Sequence, residues 1–200
     1  GGSWIAEDVT AAAGLPPVSS SLAGLVLHRA TGDTTVLYGL NSAGELIEYR
    51  SSRIGWTARN ISTITRGVPL SSKLAAWGEI YKGKLERIFV FCTTSDGRSI
   101  QYLQSGKRLS QFDLSTTGPT VAADSVVVLP PANTGGVPSL FGLDGQGSLW
   151  RYTGNLRLGW ESIAGNVGGP ALTGELGTQY AAGSGTMIVF GVDREGRMVQ

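Results

Sequence analysis

Side chains able to do acid–base or nucleophilic chemistry are sparse in this 200-residue chain: one histidine, His28, one cysteine, Cys92, and fifteen carboxylates against sixteen lysines and arginines. Cys92 ends the apolar run Ile88-Phe89-Val90-Phe91-Cys92, the setting of a small buried thiol rather than of a reactive thiolate. A lone cysteine can form neither an intramolecular disulfide nor a cysteine-based zinc site. The chain contains no G-x-S-x-G elbow, no H-E-x-x-H pair and no phosphate loop. Asp33, Asp96, Asp144 and Asp193 sit beside turn glycines and do not make the dense carboxylate loop of a calcium site. No cofactor or metal is expected. What remains as chemistry is hydrogen bonding and stacking, from tryptophan, tyrosine, arginine and amide side chains.

Those side chains are placed by an internal repeat. The segments Gly44-Glu45-Leu46-Ile47-Glu48-Tyr49, Gly97-Arg98-Ser99-Ile100-Gln101-Tyr102 and Gly147-Ser148-Leu149-Trp150-Arg151-Tyr152 align without a gap, and Gly196-Arg197-Met198-Val199-Gln200 begins a fourth copy. Their glycines are 53, 50 and 49 residues apart. Six residues before each glycine stands an aromatic, Tyr38, Phe91, Phe141 or Phe190, followed by a tiny residue, Gly39, Cys92, Gly142 or Gly191. Three residues before it stands Asn41, Thr94, Asp144 or Asp193, a short polar side chain able to bond its own backbone ahead of a glycine with positive φ. A second block recurs downstream. Trp4 leads to Asp8-Val9-Thr10, Gly14 and Pro16; Trp56 to Asn60-Ile61-Ser62, Gly67 and Pro69; Asp113-Leu114-Ser115 leads to Gly118-Pro119; and Trp160 to Asn166-Val167, Gly169 and Pro170. The Asn60-Ile61-Ser62 sequon falls where Asp8-Val9-Thr10 falls, so the repeat accounts for it as a turn or strand-end device.

Apolar stretches at about 22–29, 73–81, 122–129 and 172–180 give each unit a further strand. Two-residue alternation bounded by turn signals yields four short strands per unit and no convincing helix. Thirty glycines and a charged fraction of only 16% fit a turn-rich β chain. The fold class implied is all-β: a small propeller of four blades of four antiparallel strands, one domain over 1–200, with repeats at about 4–55, 56–108, 109–159 and 160–200. The opening residues carry an outer-strand block that the last unit lacks. The expectation is therefore a ring closed by residues near Trp4 to Thr10 joining the C-terminal blade.

The tryptophan–Asp/Asn–Val/Ile–Thr/Ser block with its Gly-x-Pro, joined to the turn-Gly-x-Leu pattern, resembles the repeats of tachylectin-like and bacterial PLL-type propeller lectins over essentially the whole chain. The resemblance implies carbohydrate binding in clefts between neighbouring blades. Trp4, Trp56 and Trp160 recur at one repeat position and are read as blade-to-blade packing. Trp77 and Trp150 break the pattern and are candidate ligand contacts. His28, Tyr81 and Tyr180, near the ends of the channel-facing strands, are candidates for a polar aromatic rim; Arg50 and Arg151, with Gln104, could bond hydroxyls at a blade edge.

Two rival readings are a protein-interaction or structural propeller within a larger secreted or surface protein, and a propeller glycoside hydrolase with two carboxylates roughly 5–10 Å apart. The sialidase Asp-box spacing is not met, since Asp144 and Asp193 precede their glycines by three residues, and no enzyme is expected. Similar polar-aromatic clusters in several clefts would favour a lectin, and one asymmetric apolar face a protein partner. A net charge of +1 without a basic cluster argues against nucleic acid. No apolar run approaches the roughly 20 residues of a membrane helix, and the N-terminus shows no signal-peptide pattern. An extracellular or cell-surface location and a glycan or protein-surface partner are expected, with oligomers compatible.

Overall fold

The repeated turn is where the fold begins. In the computed structural model, which describes residues 6–14, 17–71, 73–122, 124–131, 136–153, 159–181 and 185–200, Oδ1 of Asn41 accepts the backbone N–H of Ala43 and Glu45 at 3.0 and 2.9 Å. Asp144 does the same for Gln146 and Ser148, and Asp193 for Glu195 and Arg197. Gly44, Gly97, Gly147 and Gly196 follow at φ between +73° and +83°, a region a side chain disfavours.

These turns join the second and third strands of four antiparallel sheets. Blade 1 holds β1 (Ser20–Leu27), β2 (Thr34–Leu40), β3 (Leu46–Ser52) and β4 (Gly55–Asn60). Blade 2 holds β5 (Ala75–Tyr81), β6 (Leu85–Thr93), β7 (Ser99–Ser105) and β8 (Arg108–Asp113). Blade 3 holds β9 (Val127–Leu129), β10 (Ser139–Leu143), β11 (Leu149–Thr153) and β12 (Trp160–Ser162). Blade 4 has three strands among the described residues, β13 (Leu172–Tyr180), β14 (Met187–Asp193) and β15 (Met198–Val199). Each blade is a meander, and β1, β5, β9 and β13 lie innermost, in mutual contact from one blade to the next. The chain is a four-bladed β-propeller.

The seams between blades repeat one design. Each aromatic of the stripe faces the next blade: Tyr38 lies in the core shared by blades 1 and 2, Phe91 in that of blades 2 and 3, and Phe141 in that of blades 3 and 4. All three are 2% exposed or less. The tiny residue beside them makes room for the segment entering its own blade; a Cβ on Gly39, Gly142 or Gly191 would stand 2.0 Å from Val18, 2.4 Å from Val121 or 2.8 Å from Leu172. A backbone bond then ties each blade to the next. The N–H of Leu70, Val121 and Leu172 donates to the carbonyl of the preceding turn glycine, Gly44, Gly97 or Gly147, at 2.8, 3.0 and 2.8 Å.

Three expectations change. Short helical turns do occur: α1 (Val9–Ala13), α2 (Ile61–Thr65), a 3-10 turn at Leu114–Thr117 and α3 (Ile163–Val167). The Asp/Asn of the downstream block is their N-cap, with Asp8 accepting from Ala11, Asn60 from Thr63 and Asp113 from Ser115. In blade 3 the cap is Ser162, which accepts from Gly165, while Asn166 lies inside the helix. Strand pairing gives the reason: Asn60, Asp113 and Ser162 stand opposite Ile47, Ile100 and Trp150, the same place in each repeat. By the same register Trp56 and Trp160 are not equivalent, since Trp56 opposes Ser51 and Trp160 opposes Tyr152. Trp160 packs on Tyr152 and against Gly118 of the neighbouring blade, while Trp56 donates to Glu7.

Ring closure by an N-terminal strand falls largely on residues outside those described, Trp4 among them. Val9 and Thr10, expected in that strand, are helical, and α1 packs against β3 and β4. Phe190, expected to be buried like its counterparts, is only half-buried, because among the described residues no blade covers its side of blade 4. Truncation to alanine should therefore discriminate. Phe141→Ala should cost about 3–5 kcal/mol, Phe190→Ala about 1–2 kcal/mol, and Lys84→Ala, at an exposed position, within about 0.5 kcal/mol. Urea melts of the three variants decide it; a Phe141 variant as stable as the Phe190 variant would refute the seam assignment.

Candidate functional site

Blades 1 and 2 enclose a cleft of about 410 Å3 lined by Glu48, Arg50, Thr57, Arg59, Glu86 and Gln104, with Lys107 at its rim. Its floor is built on one lateral row of blade 1. Tyr38 on β2, Glu48 on β3 and Arg59 on β4 stand directly opposite one another, the arrangement in which cross-strand side chains meet. The Tyr38 hydroxyl donates to Glu48 Oε2 at 2.7 Å, and Arg59 closes a two-pronged bond on the same carboxylate at 2.8 and 3.0 Å. Arg50, two residues along β3 on the same face, reaches Glu48 at 3.3 Å and Glu86 of β6 at 2.8 Å. Gln104 of β7 joins the halves: its carbonyl accepts from Arg59 and its amide donates to Glu86 at 2.6 Å. Arg29, from the loop after β1, completes the set with a bond to Glu86.

Both carboxylates are out of water, Glu48 at 2% and Glu86 at 9% side-chain exposure, where an unpaired charge would be costly. Burial pushes Glu48 up, but its Arg59 bonds, the Arg50 and Arg59 charges and the Tyr38 hydroxyl outweigh that and hold it below the usual carboxylate range. Burial and the adjacent carboxylate push the Tyr38 phenol well up. For Arg50, burial opposes the charge, yet the Glu86 bond and the Glu48 and Glu86 charges leave the guanidinium more firmly protonated than usual. Glu48 is thus a fixed anion and unsuited to donate a proton at neutral pH.

The equivalent clefts differ in chemistry. At the places of Glu48 and Arg59, blade 2 carries Gln101 and Phe112, and its seam with blade 3 is filled by apolar side chains. Blade 3 carries Arg151 and Glu161, a reversed pair 3.9 Å apart. There a cavity of about 280 Å3 is lined by Phe141, Leu149, Ile163, Leu172, Met187 and Val189, with Arg151 at its edge. Among the described residues the charged cluster of blades 1 and 2 is not repeated at the equivalent places of blades 2 and 3.

Of the residues singled out from sequence, the structure brings Arg50 and Gln104 to the charged cleft and Arg151 to the apolar one. Trp77 tilts on Phe89 at 5.6 Å inside the seam of blades 2 and 3. Trp150 donates to Asp144 at 2.9 Å, bracing its own turn. His28, Tyr81 and Tyr180 form no common rim: His28 pairs with Asp33 at 3.0 Å, Tyr81 lies under Lys82 and Arg87, and Tyr180 donates to the Pro130 carbonyl at 2.7 Å. Glu48, Arg59, Glu86 and Arg29 were missed. One signal existed, since Tyr38 is the single hydroxyl in a stripe of phenylalanines and a buried phenol needs a partner.

Comparison with known proteins follows the fold. No family model matches the chain, and no curated protein does. The solved structures it resembles include the fucose-specific lectin from Aleuria aurantia, with a TM-score of 0.63 at 16% identity over 90% of this chain and 59% of that one. A second structure of that lectin, described as a six-bladed β-propeller, gives 0.59 at 16% identity. A fucose lectin from Kordia zhangzhouensis in complex with methyl-fucoside gives 0.53 at 14% identity, over 72% of this chain and 98% of that one. The chain spans about three fifths of the length of the Aleuria lectin. At these identities the likeness is one of fold.

The charge state of Glu48 carries a pH signature. Its folded value lies below the unfolded value of about 4.3, so its stabilisation is complete above that value and is lost as pH falls through the lower folded one. Glu48→Gln should lower stability by about 3 kcal/mol at neutral pH by removing the carboxylate that pairs Arg59 and one of the two that pair Arg50, and the gap from wild type should shrink below about pH 4. Urea midpoints measured from pH 7 to pH 3 read this directly; a gap that stays constant over the range would remove Glu48 from the network.

Proposed function

We propose that the chain is a carbohydrate-binding module that takes a sugar unit in the cleft between blades 1 and 2. The observation that carries this is an open cleft floored by an already satisfied carboxylate–guanidinium network. Glu48 and Glu86 brace the arginines, so the arginines are held in place before a ligand arrives and little ordering cost remains on binding. Arg59, its side chain 38% exposed, and the exposed Thr57 and Lys107 then offer hydrogen-bonding groups for sugar hydroxyls, the Thr57 hydroxyl, which donates to the Arg50 carbonyl, as an acceptor. A cleft of this size falls within the range of small-ligand sites.

Two further supports are the fucose lectins among the structures that share this fold and the resemblance of the repeats to tachylectin-like and PLL-type propellers. The module is read as a binder; Glu48, held ionised, does not suit the general-acid role a glycoside hydrolase would need. An extracellular or cell-surface setting suits such a ligand. The charged cluster of blades 1 and 2 is not repeated at the equivalent places of blades 2 and 3, so affinity for a free monosaccharide is weak and presentation of many ligands or many modules raises it.

The test is a calorimetric titration with methyl-fucoside first, then a panel of neutral and acidic monosaccharides and a glycan array. Thr57→Trp fills the cleft from an exposed position opposite Arg50, leaving every charged residue of the network in place in the sequence, and should weaken binding at least tenfold, about 1.4 kcal/mol; an unchanged urea midpoint shows that the network persists. Arg151→Met, in the other cleft, should leave it unchanged. A wild-type protein that binds no sugar, or a Thr57 variant that binds as well as wild type, would refute the assignment. The alternative of a protein-interaction module is favoured by a separate observation, the uncovered faces of blades 1 and 4.

A further inference from the structure

Four blades present four outgoing faces and four incoming faces, and among the described residues three seams are packed. The outgoing face of blade 4 carries Phe190 and Ile188, half-buried, with Val192 and Met198 exposed at 40% and 79%. Its counterparts in the packed seams, Tyr38, Phe91 and Phe141, are 2% exposed or less. The incoming face of blade 1 is open in the same way. Leu22 is 71% exposed, whereas Leu74, at the same place in blade 2, is 4% exposed; Val26 is 45% exposed. Along β1 burial alternates, Ala23, Leu25 and Leu27 turning into the seam with blade 2 while Leu22, Gly24 and Val26 face outward. The backbone clamp is missing here too. Val18 lies ahead of β1 as Leu70 and Val121 lie ahead of their blades and as Leu172 opens β13, and among the described residues the fourth bond of the series, Val18 N–H to the Gly196 carbonyl, is not made.

We propose that these two faces dock on each other between two copies of the chain, head to tail. Each packed seam joins an outgoing face with a large aromatic to an incoming face with a tiny residue and a small apolar strand. Blade 4 supplies the first and blade 1 the second, so the complement of each open face lies on the chain itself. The contact continues the series of packed seams: Phe190 of one copy packs over the Leu22 and Val26 face of the next, and Val18, seated on Gly39, donates to Gly196 across the junction. The contact is heterologous, so it closes into a ring if the rotation allows and extends into a chain of copies if it does not.

Sedimentation velocity on the 200-residue chain over a concentration series tests this. Wild type should form a dimer or larger species. Leu22→Asp blocks the incoming face alone and Met198→Asp the outgoing face alone; each should sediment as a monomer. Mixed together, the two variants retain one intact pair of faces and should form a one-to-one heterodimer and nothing larger. Unchanged urea midpoints establish that the variants fold, as the exposure of both residues leads one to expect, and Val192→Asp replaces Met198→Asp if that variant is destabilised. A wild type that stays monomeric throughout, single variants that still assemble, or a mixture that fails to combine would each overturn the proposal.

Discussion

A blade of this chain cannot bury its aromatic face alone; it needs the sheet of the next blade about 10 Å away. This constraint organises the molecule. Tyr38, Phe91 and Phe141 are buried only because another blade lies over each of them, and Phe190 is half-exposed where none does. The tiny residue after each aromatic, the segment that presses on it and the N–H donated back to the turn glycine serve the same contact. Stability in such a fold is close to a sum over neighbouring units, and damage to a seam should be felt by two blades.

Within that scheme the seam of blades 1 and 2 makes an exchange that the others do not. Its inner part is apolar, with Val36, Leu40, Ile88 and Val90, and its outer part replaces packing with two buried carboxylates, three arginines and a glutamine. A buried ionic network is weaker evidence for stability than an apolar core of the same volume. It does leave a polar floor fixed in position and open to solvent. The seam of blades 2 and 3 shows the alternative, with Leu103 and Phe112 filling the space. Function and packing compete for the same surface here, and one of the three packed seams gives part of its packing to a charged site.

The sequence by itself determined the repeat, the turn chemistry and the aromatic stripe, because each depends on residues close together in the chain. An Asx turn needs Asn41 or Asp144 and a glycine three residues on; strand alternation needs only its neighbours. Cys92 was legible as a buried thiol for the same reason. It is 1% exposed, and burial pushes the thiol up. The helix caps are visible in the sequence as a recurring Asp/Asn, legible as a turn or strand-end device but not as the start of a helix, since a five-residue helix leaves almost no periodic signal.

Only the tertiary structure decided the site and the open faces. Glu48, Arg59 and Glu86 look like ordinary polar residues of amphipathic strands until Gln104 and Arg50 are brought across the seam from positions up to 45 residues away. Trp77 and Trp150, conspicuous in sequence because they break the repeat, turned out to fill a seam and brace a turn. Whether a large side chain stacks on a ligand or on the next blade depends on what lies over it. That is set by the stacking of sheets, which the alternation within one strand does not encode.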